Sequence, residues 1–341
     1  MLEKSINNKP LQAKALKPKK SKLKQTKKVF SFILFQLLCV ALLAPFLVFW
    51  GPFSTLKAVS VGTIYTSRHP QVLNLFLSKT QIASLLQKEE TTINTSTVPV
   101  EQNKVVNTNG IQIIDISGHN YMGTFKGKVM LIKDPSRVGV AATSAIGNVG
   151  ERVSEMAKRV NAIAAINAGG FDDPNGKGNG GFPQGLTIIN NKVVFNDSGN
   201  SKQEIVGLDQ QNKLIVGNYT LAQVQAMGMR DCISFYPALV QNGKGMITQG
   251  DGGWGIGPRT GIGQLSDGTI IFVVIDGRQP WYSVGASLVD LQQVFLKYGA
   301  VTAVNLDGGS SSTLYYNGAV INKPADIFGE RYVPTAFVVK P

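Results

Sequence analysis

The sequence predicts an α+β fold, a mixed and largely antiparallel sheet with a few packed helices, preceded by an N-terminal transmembrane helix and a stalk. Three observations predict it. An uncharged run of 22 residues spans Val29 to Trp50. Beyond residue 103 the chain carries 35 of its 37 Gly, a density that implies many chain reversals. In that same region short β-branched runs alternate with turn pairs, and only two stretches show helical periodicity.

From the N-terminus, residues 1–28 hold ten Lys and one Glu, whereas residues 104–341 hold 20 basic and 17 acidic side chains. The net charge of +13 thus belongs mainly to a tail, and the body has no electrostatic footprint for nucleic acid, which is not expected as a partner. As a helix, residues 29–50 would be about 33 Å long, against a bilayer core of about 30 Å. The Lys cluster from Lys14 to Lys28 precedes the run, so residues 1–28 are expected as a basic cytoplasmic tail and everything after Trp50 outside the cell. The run exceeds the h-region of a cleavable signal peptide, and no small-x-small site follows it, which favours a single-pass anchor in the cell membrane. Residues 51–103 read as a stalk. Val72, Leu73, Leu75, Phe76, Ile82, Leu85 and Leu86 predict an amphipathic helix over Pro70 to Gln87, and the Thr, Asn and Ser content of Thr91 to Asn103 predicts a linker. Residues 104–341 then form one domain with enough chain for a single core.

Within this body, strands are predicted at Ile111–Ile116, Lys128–Ile132, Leu186–Ile189, Lys192–Phe195, Lys213–Val216, Ile270–Ile275 and Ala300–Leu306. Asp267-Gly268 and Asn317-Gly318 each separate two such runs and predict hairpins, hence antiparallel pairing. One helix is expected from about Gly150 to Asn161, with Val153, Met156, Ala157 and Val160 on one side. Another starts at Ser287, whose hydroxyl can cap it with Asp290 three residues on, and carries Leu288, Leu291, Val294, Phe295 and Tyr298 on one face.

Two Cys (Cys39, Cys232) and two His (His69, His119) exclude a disulfide framework and leave little material for a zinc centre or a Ser-His-Asp triad. Asp173, Asn175 and Gly178 fit the opening of a calcium loop, but Lys177 occupies a ligand position and Gln184 stands where a bidentate Glu belongs. Neither a metal nor a cofactor is expected.

Four Gly-flanked polar clusters stand at strand ends: Asn167–Asp173, Arg259–Gly263, Asp276–Arg278 and Asn305–Thr313. The last lies between two apolar runs and offers backbone amides and the hydroxyls of Ser310, Ser311 and Thr313 on a tight loop, an arrangement that receives an anion. Arg259 and Arg278 supply planar charged forks for phosphate oxygens, and Asp307 and Asp276 are the candidate catalytic carboxylates. Trp254, Trp281 and Tyr282 flank these segments as candidate flat faces for a sugar ring. Each cluster also has an ordinary explanation as a turn or a surface ion pair.

In chain order, Asn-x-Gly-Gly-Phe, Arg-Thr-x-Ile-Gly, Asp-Gly-Arg, Asn-Leu-Asp-Gly-Gly-x-Ser-x-Thr and the closing Arg331-Tyr332-Val333-Pro334-Thr335-Ala336 resemble the phosphodiester glycosidase family, that of the lysosomal uncovering enzyme. The anchor and stalk are similar to those of bacterial membrane-attached members. Ala168 within the first motif, Asp172 after Phe171 and Ser310 in place of a third Gly are departures. The resemblance implies hydrolysis of a sugar linked through its anomeric carbon to a phosphodiester. It also implies that Asn167, Gly170, Arg259, Asp276, Arg278, Asn305, Asp307, Gly308, Gly309, Ser310 and Thr313 line the site. The expected substrate is a sugar phosphodiester or a phosphate-containing polysaccharide, in cell-surface or exopolysaccharide metabolism. Such chemistry suits a site without His, because the phosphate monoester that departs is a weak base and needs no dedicated acid. Two other functions use the same residues: a module that binds phosphate-containing surface polysaccharide without cutting it, and a phosphodiesterase that attacks phosphorus. The latter ordinarily recruits two metals.

Overall fold

The computed structural model describes residues 20–52, positions 57, 60, 61, 64 and 65, and residues 70–90, 101–108, 110–120, 122–174, 178–279 and 281–341. Residues 1–19 of the basic tail, 91–100 of the linker, His69, and Asn175 and Lys177 of the calcium-like loop lie outside them. The chain divides into two compact units, Met1–Phe53 and Ser54–Pro341.

The first unit contains α1 (Lys20–Trp50). Its segment Lys28–Trp50 is long and apolar enough to cross a membrane, a property shared by anchors and signal sequences. Phe32, Leu37, Leu42 and Phe46 all stand exposed on it.

The second unit is described from its own elements. The apolar spacing over Pro70 to Gln87 yields a 3-10 turn at Pro70–Leu75 and a separate helix, α2 (Lys79–Glu90). The break has a local cause. The Ser78 amide donates to Gln81 Oε1 at 2.9 Å and the Gln81 amide to Ser78 Oγ at 3.2 Å, a capping box that starts a new helix. Of the apolar residues that predicted one helix, Leu73 and Ile82 are buried whereas Val72 and Leu75 are exposed, and Leu77, between the two elements, is buried as well.

Three sheets follow, and every described pairing is antiparallel. The first has eight strands in the order β1 (Glu101–Thr108), β2 (Ile111–Asn120), β3 (Gly123–Ile132), β14 (Ile270–Ile275), β13 (Arg259–Leu265), β15 (Ala300–Leu306), β11 (Ala238–Gln241), β12 (Lys244–Gly245). The second runs β7 (Lys192–Asn196), β6 (Leu186–Ile189), β10 (Met229–Ser234), β8 (Gln203–Asp209), β9 (Leu214–Tyr219). The third runs β17 (Ala319–Val320), β16 (Leu314–Tyr316), β5 (Ala164–Asn167), β18 (Thr335–Val339), β4 (Val138–Ala142). The domain boundary expected at residues 103 and 104 falls inside β1. Its polar side chains do not prevent pairing, because an edge strand joins a sheet through its main chain.

One central core joins inward faces of all three sheets, with Phe272, Val304, Leu306, Val206, Leu208, Ile166 and Phe337 among its members. The outer face of the first sheet is covered by α5 (Leu288–Lys297), whose Leu288, Leu291, Val294 and Phe295 are buried. This helix starts as its sequence demands: the Asp290 amide donates to Ser287 Oγ at 3.0 Å and the Ser287 amide to Asp290 Oδ2 at 2.8 Å. The third sheet carries α3 (Val153–Arg159) through Val153, Met156 and Ala157. The second carries α4 (Leu221–Ala226) through Val224.

Antiparallel register decides where the polar loops gather. Arg259 opens β13 opposite Ile275, the last residue of β14, and Thr260 pairs with Leu306, the last residue of β15. Asp276 and Asp307 therefore leave the sheet at the end where Arg259 enters it. At the end of β5, Asn167 pairs with Ala336 of β18.

Candidate functional site

The loops at this end surround an open hollow of about 380 Å³, bordered by Trp254, Arg259, Arg278, Asp307, Gly308, Gly309, Ser310, Asp173 and Arg331, with Tyr65, Gly257 and Pro258 completing its wall. Six of the twelve residues proposed from sequence thus share one cavity.

The Asn305–Thr313 loop is fastened from behind. Asn167 is fully buried, and its amide Nδ2 donates to the Asp307 carbonyl at 2.5 Å. Its Oδ1 accepts from Thr260 Oγ1 at 2.9 Å and from the Thr313 amide at 3.1 Å. Asn305, also fully buried, donates from Nδ2 to the Tyr236 carbonyl at 2.9 Å. The Asp307 amide donates to the Ala168 carbonyl at 3.0 Å, so the residue that departs from the family motif helps hold the candidate carboxylate. Thr335 completes the clamp, accepting from the Gly169 amide at 3.0 Å. Within the loop the Gly309 amide donates to the Pro258 carbonyl at 2.9 Å. Gly309 adopts φ +59°, a conformation that favours glycine, and a Cβ there would lie 3.2 Å from the Arg278 guanidinium.

The cations are placed differently. Arg259 is buried, its guanidinium donating to the carbonyls of Ala286 and Trp254 at 2.9 Å each and of Gly255 at 2.5 Å. It is a fixed charge in the floor. Arg278 holds φ +59°, a left-handed conformation uncommon for a residue with a side chain, and its Nη1 reaches Ser310 Oγ at 3.5 Å. Arg331 pairs with Asp173 at 2.6 Å and lies over the Phe171 ring at 4.5 Å. Three permanent cations and two carboxylates therefore face the hollow, leaving an excess of positive charge for an anion.

Asp307 is half-buried by surface area, but the atoms packed round its carboxyl push its pKa up to about 6, against the Ser311 hydroxyl and Arg331, which favour the charged form. It is the titrating group of the hollow near neutral pH.

The structure places Asp276 elsewhere. It is buried beside the hollow without bordering it. Its carboxylate accepts from Tyr282 Oη at 3.2 Å, Asn322 Nδ2 at 3.0 Å and the Lys323 amide at 2.9 Å. Burial raises its pKa in spite of those bonds. Tyr282, pushed up to about 12 by burial and by Asp276, stays a proton donor to it. Asn167, Asn305, Ser311 and Thr313 likewise support the loop from within without bordering the hollow, and Gly170 lies against Phe235 and Gln184. Of the three candidate aromatic faces, Trp254 borders the hollow, whereas Trp281 is fully exposed and Tyr282 serves Asp276. Gly261 and Gly263 serve packing: a Cβ at either would meet the Phe295 ring within 3.0 Å.

Sequence reasoning missed Asp173 and Arg331 as a pair within the site. Asp173 stands in the Asn167–Asp173 cluster and in the calcium-like loop, and Arg331 in the closing motif, but none of these signals joins the two. Tyr65 gave none.

The family model of phosphodiester glycosidases matches residues 160–340. Over 200 residues, 56% of this chain, the sequence is 32% identical to the SPbeta prophage-derived uncharacterized protein YomE of Bacillus subtilis (strain 168), 30% of which is covered. A stretch of 71 residues, 21% of this chain, is 34% identical to 13% of the N-acetylglucosamine-1-phosphodiester alpha-N-acetylglucosaminidase of Bos taurus. The chain thus spans less than a third of the length of these curated relatives. Among solved structures, the zebrafish N-acetylglucosamine-1-phosphodiester alpha-N-acetylglucosaminidase catalytic domain has a TM-score of 0.58 at 21% identity, over 75% of this chain and 92% of that one. The fold is shared.

Proposed function

Because the chain belongs to the phosphodiester glycosidase family, a family of hydrolases, we propose that its body cleaves a sugar-1-phosphodiester at the bond between the anomeric carbon and the bridging oxygen. Water adds to the carbon, and the bridging oxygen leaves with phosphorus as a phosphate monoester. That leaving group has a second pKa of about 6 by analogy with phosphorylated side chains, so the step proceeds without a dedicated general acid. Arg259, Arg278 and the amides of Gly308 and Ser310 hold the phosphate and take up the charge that develops on it, on a loop that the Gly309 amide ties to the Pro258 carbonyl. Asp307, as a carboxylate, stabilises the oxocarbenium-like carbon or activates the water. Asn167, Asn305, Ser311 and Thr313 set the loop, and Asp276 anchors the Asp276–Arg278 turn that aims Arg278.

The observation that carries the reading is the meeting of Asp307 with Arg259, Arg278 and Arg331 around one hollow. Three permanent positive charges suit a phosphate better than a neutral glycoside. We place this chemistry outside the cell, with residues 1–28 cytoplasmic, 29–50 in the membrane and 51–103 a spacer, and assign it to cell-surface or exopolysaccharide metabolism.

The detergent-solubilised full-length protein, incubated with a panel of sugar phosphodiesters and with wall and exopolysaccharide fractions, is expected to release reducing sugar and phosphate monoester in equal amounts. The Asp307→Asn variant is expected to release neither. Co-sedimentation with polymer and no release would make the protein a binding module and overturn the proposal.

A further inference from the structure

A second hollow lies beside the first. It is bordered by Gln184, Lys202, Gln203, Glu204, Asn218 and Tyr236, among others, and has a volume of about 460 Å³. Its wall is continuous with the candidate active site through three aromatic rings. Tyr236, half-exposed, stacks on Phe235 with centroids 5.8 Å apart, and both meet Trp254 edge-on, at 5.4 Å for Tyr236 and 6.0 Å for Phe235. Trp254 borders the first hollow and Tyr236 the second. The ridge needs Gly170. A Cβ there would lie 2.9 Å from the Phe235 ring and 3.1 Å from Gln184 Oε1, so any side chain would push the ridge and the rim of the second hollow apart. The ridge is also anchored to the catalytic loop, since the Tyr236 carbonyl accepts from Asn305, and to the rim of the second hollow, since the Phe235 amide donates to the Glu204 carbonyl at 3.1 Å.

The two hollows differ in charge. The first presents three Arg against two Asp, whereas the second presents one Lys and one Glu among amides and hydroxyls. Amides that donate and accept, set against an exposed aromatic ring, match the hydroxyls and apolar face of a sugar and offer little to a phosphate. We propose that the second hollow is a glycan subsite that holds a phosphate-free sugar residue of the same substrate, so that the enzyme acts on an oligosaccharide or polysaccharide instead of a single sugar phosphodiester. This rests on the reading of the first hollow as the sugar-phosphate site.

The test separates the two. Full-length wild type, Tyr236→Ala, Tyr236→Phe and Asn218→Trp are applied in detergent to an array of short phosphate-free oligosaccharides, after thermal unfolding confirms that each is folded. Wild type is expected to retain a subset of them. Tyr236→Ala should lose about tenfold in affinity, whereas Tyr236→Phe, which keeps the ring, should stay near wild type. Asn218→Trp fills the hollow from an exposed position on β9 and leaves the aromatic ridge untouched, so it should lose the same glycans. No retention by wild type, or retention unchanged by both Tyr236→Ala and Asn218→Trp, overturns the subsite. A protein that retains glycans through Tyr236 but hydrolyses no phosphodiester keeps the subsite and loses the catalytic reading. One that hydrolyses a monosaccharide phosphodiester and retains no glycan does the reverse.

Discussion

Replacing Asp307 by Asn should stabilise the protein while removing its activity, because the site holds a carboxylate where folding alone would not keep a charge. Burial pushes the Asp307 pKa from an ordinary 3.8 up to about 6. At about 1.4 kcal/mol per pH unit, that rise is worth about 3 kcal/mol. The sign follows from proton binding. Between pH 3.8 and about 6 the folded protein keeps a proton that the unfolded chain has released, so stability falls through that window and levels off above it. Asn cannot ionise, and it fits the same space. Arg331 keeps its partner Asp173 at 2.6 Å. Asp276 and Asp290, whose pKa values are also raised by burial, are present in both proteins and cancel in the difference. Thermal unfolding of detergent-solubilised wild type and Asp307→Asn from pH 4 to pH 8 should therefore show curves that coincide near pH 4 and diverge towards pH 6. Above that pH the variant should be more stable by up to about 3 kcal/mol. Parallel curves, or a variant less stable than wild type at pH 8, would refute the argument that the carboxylate is held against a folding cost.

The same group governs the pH profile: if Asp307 works as a carboxylate, kcat/KM rises with pH through an acid limb near pH 6, and loss of activity above that pH would instead make it a general acid. Asp276→Ala leaves the side-chain donors Tyr282 and Asn322 and the Lys323 amide without their acceptor, so thermal unfolding should show a loss of about 3 kcal/mol; an unchanged melting temperature would show that these bonds contribute nothing net. Gly309→Ala should leave that melting temperature within a few degrees but lower kcat/KM by about tenfold or more, because the new Cβ presses on Arg278 in the phosphate cradle and strains a left-handed turn. Activity near wild type would remove the Arg278–Gly309 contact from the account.

Much of the architecture was legible where one local rule sufficed. Ser287 with Asp290 predicts the start of α5, and Asp267-Gly268 and Asn317-Gly318 predict the β13–β14 and β16–β17 hairpins, because caps and turns are decided within a few residues. Strands β5 and β18 were not anticipated. All four residues of the one and all five of the other are buried, so neither alternates between apolar and polar. Polar β1 escaped notice for the opposite reason, since its pairing is made by backbone. The site divides in the same way. Loops that reverse tightly announce themselves through Gly and Asp, which is why Asp307, Gly308, Gly309, Ser310, Arg259 and Arg278 were all named and all border one hollow. The Arg331–Asp173 pair is a tertiary contact between distant loops and leaves no local pattern. Conversely, Gly261 and Gly263 stand in a motif that reads as functional, yet they make room for Phe295.

The central claim is that carbon, and not phosphorus, is attacked. Hydrolysis of a sugar-1-phosphodiester by the full-length protein in oxygen-18 water tests it directly. Label is expected at the anomeric hydroxyl of the released sugar and none in the phosphate monoester. Label in the phosphate monoester, with an unlabelled sugar, would contradict it.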